Sequence, residues 1–232
     1  MLEANGRVVM VSGASRGIGR AVVERLLASG FRVSAGVRDA RGLAASESLL
    51  VHRYDAESLE SAETWLGATL GRFGGALHGL VNAAGINPKA RLDDADAAAL
   101  DAMWLVNVKA PMRLIRLALP HLRACGEGRV VNVSSLSGKR VRNVNVGYAM
   151  SKFALTALTH GVRQAGWDAG VRATAICPSF VATDMTADVT AWPRERMTDP
   201  KDLAALIETM LLLPNTATVA ELLVNCRLED ML

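Results

Sequence analysis

From one end to the other, this chain alternates short β-rich apolar runs with longer stretches of helical periodicity. That alternation limits its fold more than any other feature. RVVMVS (7–12), FRVSAGV (31–37), LLVHRY (49–54), LHGLVNA (77–83), RVVNVS (129–134), VRATAIC (171–177) and ELLVN (221–225) read as strands. Several are nearly continuous apolar runs, the pattern of strands buried on both faces of a parallel sheet. Between them, GRAVVERLLASG (19–30), ESLESAETWLGATLG (57–71), residues 96–126 and residues 146–167 read as helices. The expected fold is an α/β doubly wound parallel sheet of about seven strands, with helices on both faces. With no Gly/Ser/Pro-rich linker and no internal repeat, residues 1–232 read as a single domain.

Composition removes several function classes. A formal charge of +3, from 26 basic and 23 acidic residues, gives no footprint for nucleic acid. Cys125, Cys177 and Cys226 are odd in number and lack CxxC spacing, which argues against a disulfide framework and fits a reducing compartment. His52, His78, His121 and His160 show no metal-ligand spacing, so no metal is expected. No run approaches 18 apolar residues and the first residues lack a signal-peptide pattern, so the expectation is a cytoplasmic protein with no membrane partner.

The first strand runs into SGASRGIGR, with Gly13, Gly17 and Gly19 spaced GxxxGxG. Glycines there permit a tight strand-to-helix turn and close backbone approach to a phosphate. The helix that follows points its N–H groups at that phosphate. Further on, YAMSK sets Tyr148 and Lys152 one helical turn apart, on one face. An ammonium about 4 Å from the phenol would favour the phenolate by roughly 4 kcal/mol, enough to bring an ordinary tyrosine toward working pH.

Taken in order, these motifs resemble the short-chain dehydrogenase/reductase family. They are the glycine turn, Asp55 after the third strand, Asn82-Ala83-Ala84-Gly85 after the fourth, Asn107 in the long helix and Ser135 after the fifth. Tyr148 and Lys152 follow, then Pro178 and Thr183 after the sixth strand. The likeness runs from Arg7 to about Met185. It implies a Rossmann fold, a nicotinamide cofactor and hydride transfer to or from a carbonyl or secondary alcohol, with Tyr148 giving or taking the proton. The resemblance assigns Ser135 to the substrate oxygen, with neighbouring Ser134 as the alternative, Lys152 to the cofactor ribose and Asn107 to a proton relay. It carries cofactor contacts onto Gly13, Ser15, Arg16, Gly17, Ile18, Gly19, Arg38, Asp55, Ala56, Asn82, Ala83, Ala84, Gly85, Tyr148, Lys152, Pro178, Val181 and Thr183. It also implies a homodimer or homotetramer through the helices at 96–126 and 146–167.

Three departures stand out. Ala83 replaces the second asparagine of the family's NNAG, Ser179 follows Pro178 where glycine is usual, and TVAELLVNCRLEDML lacks the family's glycine-rich ending. Residues 185–200 are expected to form a substrate lid. The expected cofactor is NADP(H) rather than NAD(H). The end of strand two falls on Val37 where NAD-binding chains place an acid, and Arg16 and Arg38 suit a 2′-phosphate. Asp39 would take the ribose instead if the strand ended two residues later. The alternative to an enzyme is a non-catalytic NADP-binding sensor or scaffold on the same fold.

Overall fold

A computed structural model describes residues 1–40 and 42–229. Seven parallel strands are present: β1 (Val8–Ser12), β2 (Arg32–Val37), β3 (Leu49–Arg53), β4 (Gly79–Asn82), β5 (Arg129–Val133), β6 (Arg172–Pro178) and β7 (Glu221–Val224). They lie in the order β3-β2-β1-β4-β5-β6-β7. Chain order reverses between β1 and β4, and in open α/β sheets a ligand crevice opens beyond the strand ends at such a point. All seven strands coincide with the apolar runs of the sequence to within two residues at each end.

Successive strand residues point to opposite faces. Val9 and Val11 of β1 therefore enter one apolar cluster, while Val8 and Met10 enter another. The first cluster is closed by α1 (Gly17–Ala28) and α6 (Pro200–Leu212), which supply Val22, Leu26, Leu203 and Ile207. The second is closed by α2 (Leu59–Arg72), α4 (Ala110–Ala124) and α5 (Val146–Gly166), through Trp65, Leu114, Leu122 and Val162. This is the doubly wound sheet that the alternation demands.

Two helical expectations change. Residues 96–126 are not one regular helix: α3 (Ala98–Met103) passes through a wide π-type turn at Trp104–Lys109 before α4 begins. The apolar periodicity continues through the turn and so conceals it. Helix α6 adjoins the expected lid and was not singled out, although Asp199 caps it by accepting from Lys201 N at 2.8 Å and Pro200 occupies its first turn.

Candidate active site

The glycine turn is as tight as its spacing requires. Gly13 and Gly17 have φ of +68° and +55°, where a Cβ is strained. A Cβ on Gly13 would stand 2.7 Å from the Ala84 backbone, and one on Gly19 would stand 2.3 Å from the Gly13 carbonyl oxygen. The turn opens on a cavity of about 320 Å³. Gly13, Ser15, Arg16, Gly17, Ile18 and Gly19 line its floor; Arg38, Asp55 and Ala56 line one side; Ala83, Ala84, Gly85 and Thr183 line the other. These features fit a dinucleotide: backbone close enough for phosphate, a helix start behind it, and open ends of β2 and β3 for an adenosine.

Asn82 departs from expectation. It lines neither cavity of the cleft; its amide nitrogen donates to Asn132 Oδ1 at 2.8 Å, deep in the sheet, and Asn132 in turn donates to Thr159 Oγ1. Ala83 keeps the chain's path, because Ser12 Oγ accepts from the backbone N–H groups of both Ala83 and Ala84. The missing second asparagine thus removes a side chain without removing the bend. β2 ends at Val37, leaving Asp39 two residues beyond the strand. Arg16 is paired with Asp184 at 3.1 Å across the cleft, and both side chains are well exposed.

Residues 13–17, GASRG, also spell GxSxG, the spacing of a hydrolase nucleophile elbow, which a reading centred on phosphate passes over. Ser15 is exposed and has no histidine partner among the described residues. It serves the turn.

Beyond Ile18, Ala83, Gly85, Thr183 and Met185, which are shared walls, the cleft continues into a second cavity of about 360 Å³. Ser135, Tyr148, Lys152, Pro178 and Val181 line it, together with Met185, Thr186 and Val189 of the expected lid. Asn145 caps α5, with its Oδ1 accepting from Tyr148 N at 3.4 Å and from Ala90 N at 2.9 Å, and so fixes where the tyrosine leaves the helix. The sequence reading missed Asn145, though an asparagine just before an apolar helical run is a cap signal.

The Ser135 hydroxyl lies close enough to the Tyr148 phenol to lower its proton affinity, and its Oγ accepts from Ser137 N at 3.1 Å. Ser134 is engaged elsewhere, by the Lys152 carbonyl at 3.1 Å and Thr156 Oγ1 at 2.9 Å. Lys152 is buried, with its ammonium donating to the Val133 carbonyl at 2.8 Å and standing 5.6 Å from the Tyr148 ring centre. A Cβ on Gly85 would lie 3.4 Å from Asn107 Oδ1 and 3.8 Å from Lys152 Nζ, so both side chains converge on that glycine. Asn107 is fully buried in the π-type turn. Its amide grips Ile86 through both N–H and C=O at 2.9 Å and donates to Ser151 Oγ.

The electrostatics correct one expectation. Burial pushes the Tyr148 phenol up to about 12, against a smaller lowering by the Ser135 hydroxyl. Burial likewise brings Lys152 down to about 8. Desolvation outweighs attraction here because the ammonium is directed at Val133 rather than at the phenol. A phenol so held keeps its proton at neutral pH. Arg140, Arg142, Arg227 and Glu229 also line the second cavity, and the sequence reading did not single them out.

Comparison with known proteins agrees with this arrangement. The short chain dehydrogenase family model matches residues 7–194. The agropine synthesis reductase of Rhizobium rhizogenes is 41% identical over 230 residues, covering 97% of this chain and 53% of that protein. The chain spans about half the length of the curated relatives it matches first. A 3-ketoacyl-(acyl-carrier-protein) reductase from Brucella melitensis, solved with NADH, superposes with a TM-score of 0.88 at 24% identity over 96% of this chain and 98% of its own. An alcohol dehydrogenase from Thermococcus sibiricus, solved with 5-hydroxy-NADP, gives 0.85 at 27% identity over 94% and 95%. The glycine turn, the seven-stranded sheet and the extent of the match together make this chain a member of the short chain dehydrogenase family.

Proposed function

We propose that the chain is an NADP(H)-dependent oxidoreductase that interconverts a carbonyl compound and its secondary alcohol. The observation that carries the reading is the Ser135–Tyr148–Lys152 group in the wall of a cavity continuous with a dinucleotide-sized one. When bound, the cofactor would supply the hydride. Gly13, Gly17 and Gly19 would admit its phosphates, and Lys152 would meet its ribose hydroxyls.

The chain's own residues handle the oxygen. Ser135 holds the carbonyl oxygen while Tyr148 donates its proton there; carbon gains the hydride, oxygen gains the proton, and the product is an alcohol. A phenol that keeps its proton at neutral pH suits this direction, as does the name of the 41% identical reductase. Asn107 holds the Gly85–Ile86 backbone and Ser151 beside Lys152, and so positions the amine. Residues 185–200 would close over substrate, since Met185, Thr186 and Val189 already form part of the cavity wall.

The NADP(H) preference rests on Val37 at the strand end and on Arg38 beside it; the solved relatives include both NADH and NADP-type complexes. Exposed Trp104, Met112, Met150 and Phe153 on the α4 and α5 side support a homodimer or homotetramer. Three free cysteines agree with a reducing, cytoplasmic setting. The direct test is a turnover screen with NADPH over ketones, 3-oxo acids and 3-oxoacyl thioesters. Tight NADPH binding with no turnover on any of them would point instead to a binding protein.

A further inference from the structure

The cavity beside Tyr148 contains a charged cluster that carbonyl reduction does not by itself require. Glu229, in the segment after β7, turns its side chain inward until only 4% of it is exposed. It accepts from the Arg140 guanidinium and from the Ser179 hydroxyl, and Arg227 approaches it at 3.4 Å. Ser179 is the residue that stands where the family usually has glycine, so one departure from the pattern supplies a ligand for this carboxylate.

Arg227 has a second attachment. Its guanidinium lies 5.5 Å from the ring centres of both Phe180, just after β6, and Trp192, in the segment expected to cover the substrate. Those rings hold the guanidinium in the cavity wall independently of Glu229. Arg142 lines the same cavity.

Burying an ion pair seldom stabilises a protein more than apolar packing would. A buried anion held by two arginines and a hydroxyl, beside a candidate proton donor, is a site whose chemistry matches a ligand carboxylate. We infer that Arg140, Arg227 and Ser179 form an anion subsite for the carboxylate of an oxo-acid substrate, and that Glu229 is its internal occupant, displaced when such a substrate binds. The inference rests on the proposed carbonyl reduction at Tyr148, and it makes the substrate an oxo acid rather than a neutral ketone.

The test compares oxo acids bearing two to five carbons between carbonyl and carboxylate with their methyl esters, which keep the shape and lose the charge. The wild type should favour at least one acid over its ester by about tenfold or more in kcat/KM, mainly through KM. Arg227→Met should abolish that preference and leave the ester within about threefold. Arg140→Met is made together with Glu229→Gln, so that no buried charge is stranded, and should do the same. Glu229→Gln alone should lower KM for the acid about threefold or more, with the ester unchanged.

Binding of glutarate, which has carboxylates but no ketone to reduce, is followed by calorimetry on the same proteins. It should be seen in the wild type and lost in both arginine variants. Glutarate binding with no turnover of any carbonyl would leave the subsite standing and overturn the reductase reading. Turnover of ketones with no acid preference and no glutarate binding would overturn the subsite alone. A fall in Tm with equal loss on acid and ester would show a purely structural tie, which overturns it as well.

Discussion

Tyr148 and Lys152 share a helix face, with the ammonium 5.6 Å from the ring centre, yet the ammonium donates to the Val133 carbonyl and not to the phenol. The lysine is therefore anchored to the end of β5, and the phenol has Ser135 as its polar neighbour. One turn of α5 thus places the amine and the acid separately, one against the last residue of β5 and the other beside a residue just after it.

If the phenol is the proton donor, Tyr148→Phe should lower kcat by 10²–10⁴-fold, the usual contribution of a general acid. NADPH binding, followed by fluorescence titration, should change by less than about threefold. A variant that keeps more than about a tenth of the wild-type rate would remove the tyrosine from this role.

Lys152 gives a prediction in pH. Its folded value is about 8 against an ordinary 10.5, so between those values the unfolded chain binds more protons than the native one. Stability should therefore rise as pH increases from 8 toward 10.5, by up to about 3 kcal/mol before solvent relaxation reduces it. Tyr148 acts in the opposite sense above pH 10, where the unfolded phenol ionises and the native one, at about 12, does not. Urea unfolding of the wild type and Lys152→Met at pH 7.5, 9 and 10 separates the two. The difference between the proteins should shift in favour of the wild type as pH rises, and a constant difference would contradict the buried cation.

Arg16 enters the proposed phosphate site already paired with Asp184. An exposed pair of this kind contributes about 0.2–1 kcal/mol, so redirecting the guanidinium costs little. The expected preference for NADPH over NADH is at least about tenfold in kcat/KM, roughly 1.4 kcal/mol. Asp184→Asn should improve NADPH use by no more than about fivefold and leave NADH use alone. Arg16→Ala with Arg38→Ala should reduce the preference to near unity; a loss below twofold in NADPH use would show that neither arginine reads the phosphate.

Gly19→Ala places a methyl 2.3 Å from the Gly13 carbonyl oxygen, with backbone on both sides of the clash. The expected loss is about 1–3 kcal/mol, with Tm falling roughly 2–4 °C for each. Thermal unfolding checks it, and an unchanged Tm would mean that the turn is looser than described.

Most of the fold was legible because buried parallel strands must be apolar throughout, and all seven announced themselves in that way. The glycine turn and YxxxK were legible for a related reason: steric limits on a turn and the period of a helix both leave fixed spacings. What stayed hidden depends on three dimensions. Asn82 looks like a ligand contact in its motif, but the neighbouring strand offers Asn132, and the side chain turns there. The Arg140–Glu229 pair joins residues 89 apart, and no local pattern links them. The direction of the Tyr148 shift depended on where a flexible lysine ended up, which spacing alone does not determine.

Among the exposed side chains, Met112, Met150 and Phe153 give the assembly prediction. Light scattering at micromolar protein should return a mass of two or four chains, and Phe153→Asp should shift it toward one. A monomer mass for the wild type would reject the interface.

The wide turn at Trp104–Lys109 has an angular consequence. Each residue of a regular helix advances about 100° around its axis, so a turn holding one extra residue rotates everything after it by about that much. Asn107 faces Ile86 on one side of the turn while Leu114, Ile115 and Leu122 face the sheet on the other. Both facings coexist only because the phase of the helix slips between them. Deleting a single residue there would restore an uninterrupted α-helix and its regular bonding, and would turn either the amide or the apolar stripe away from its partner.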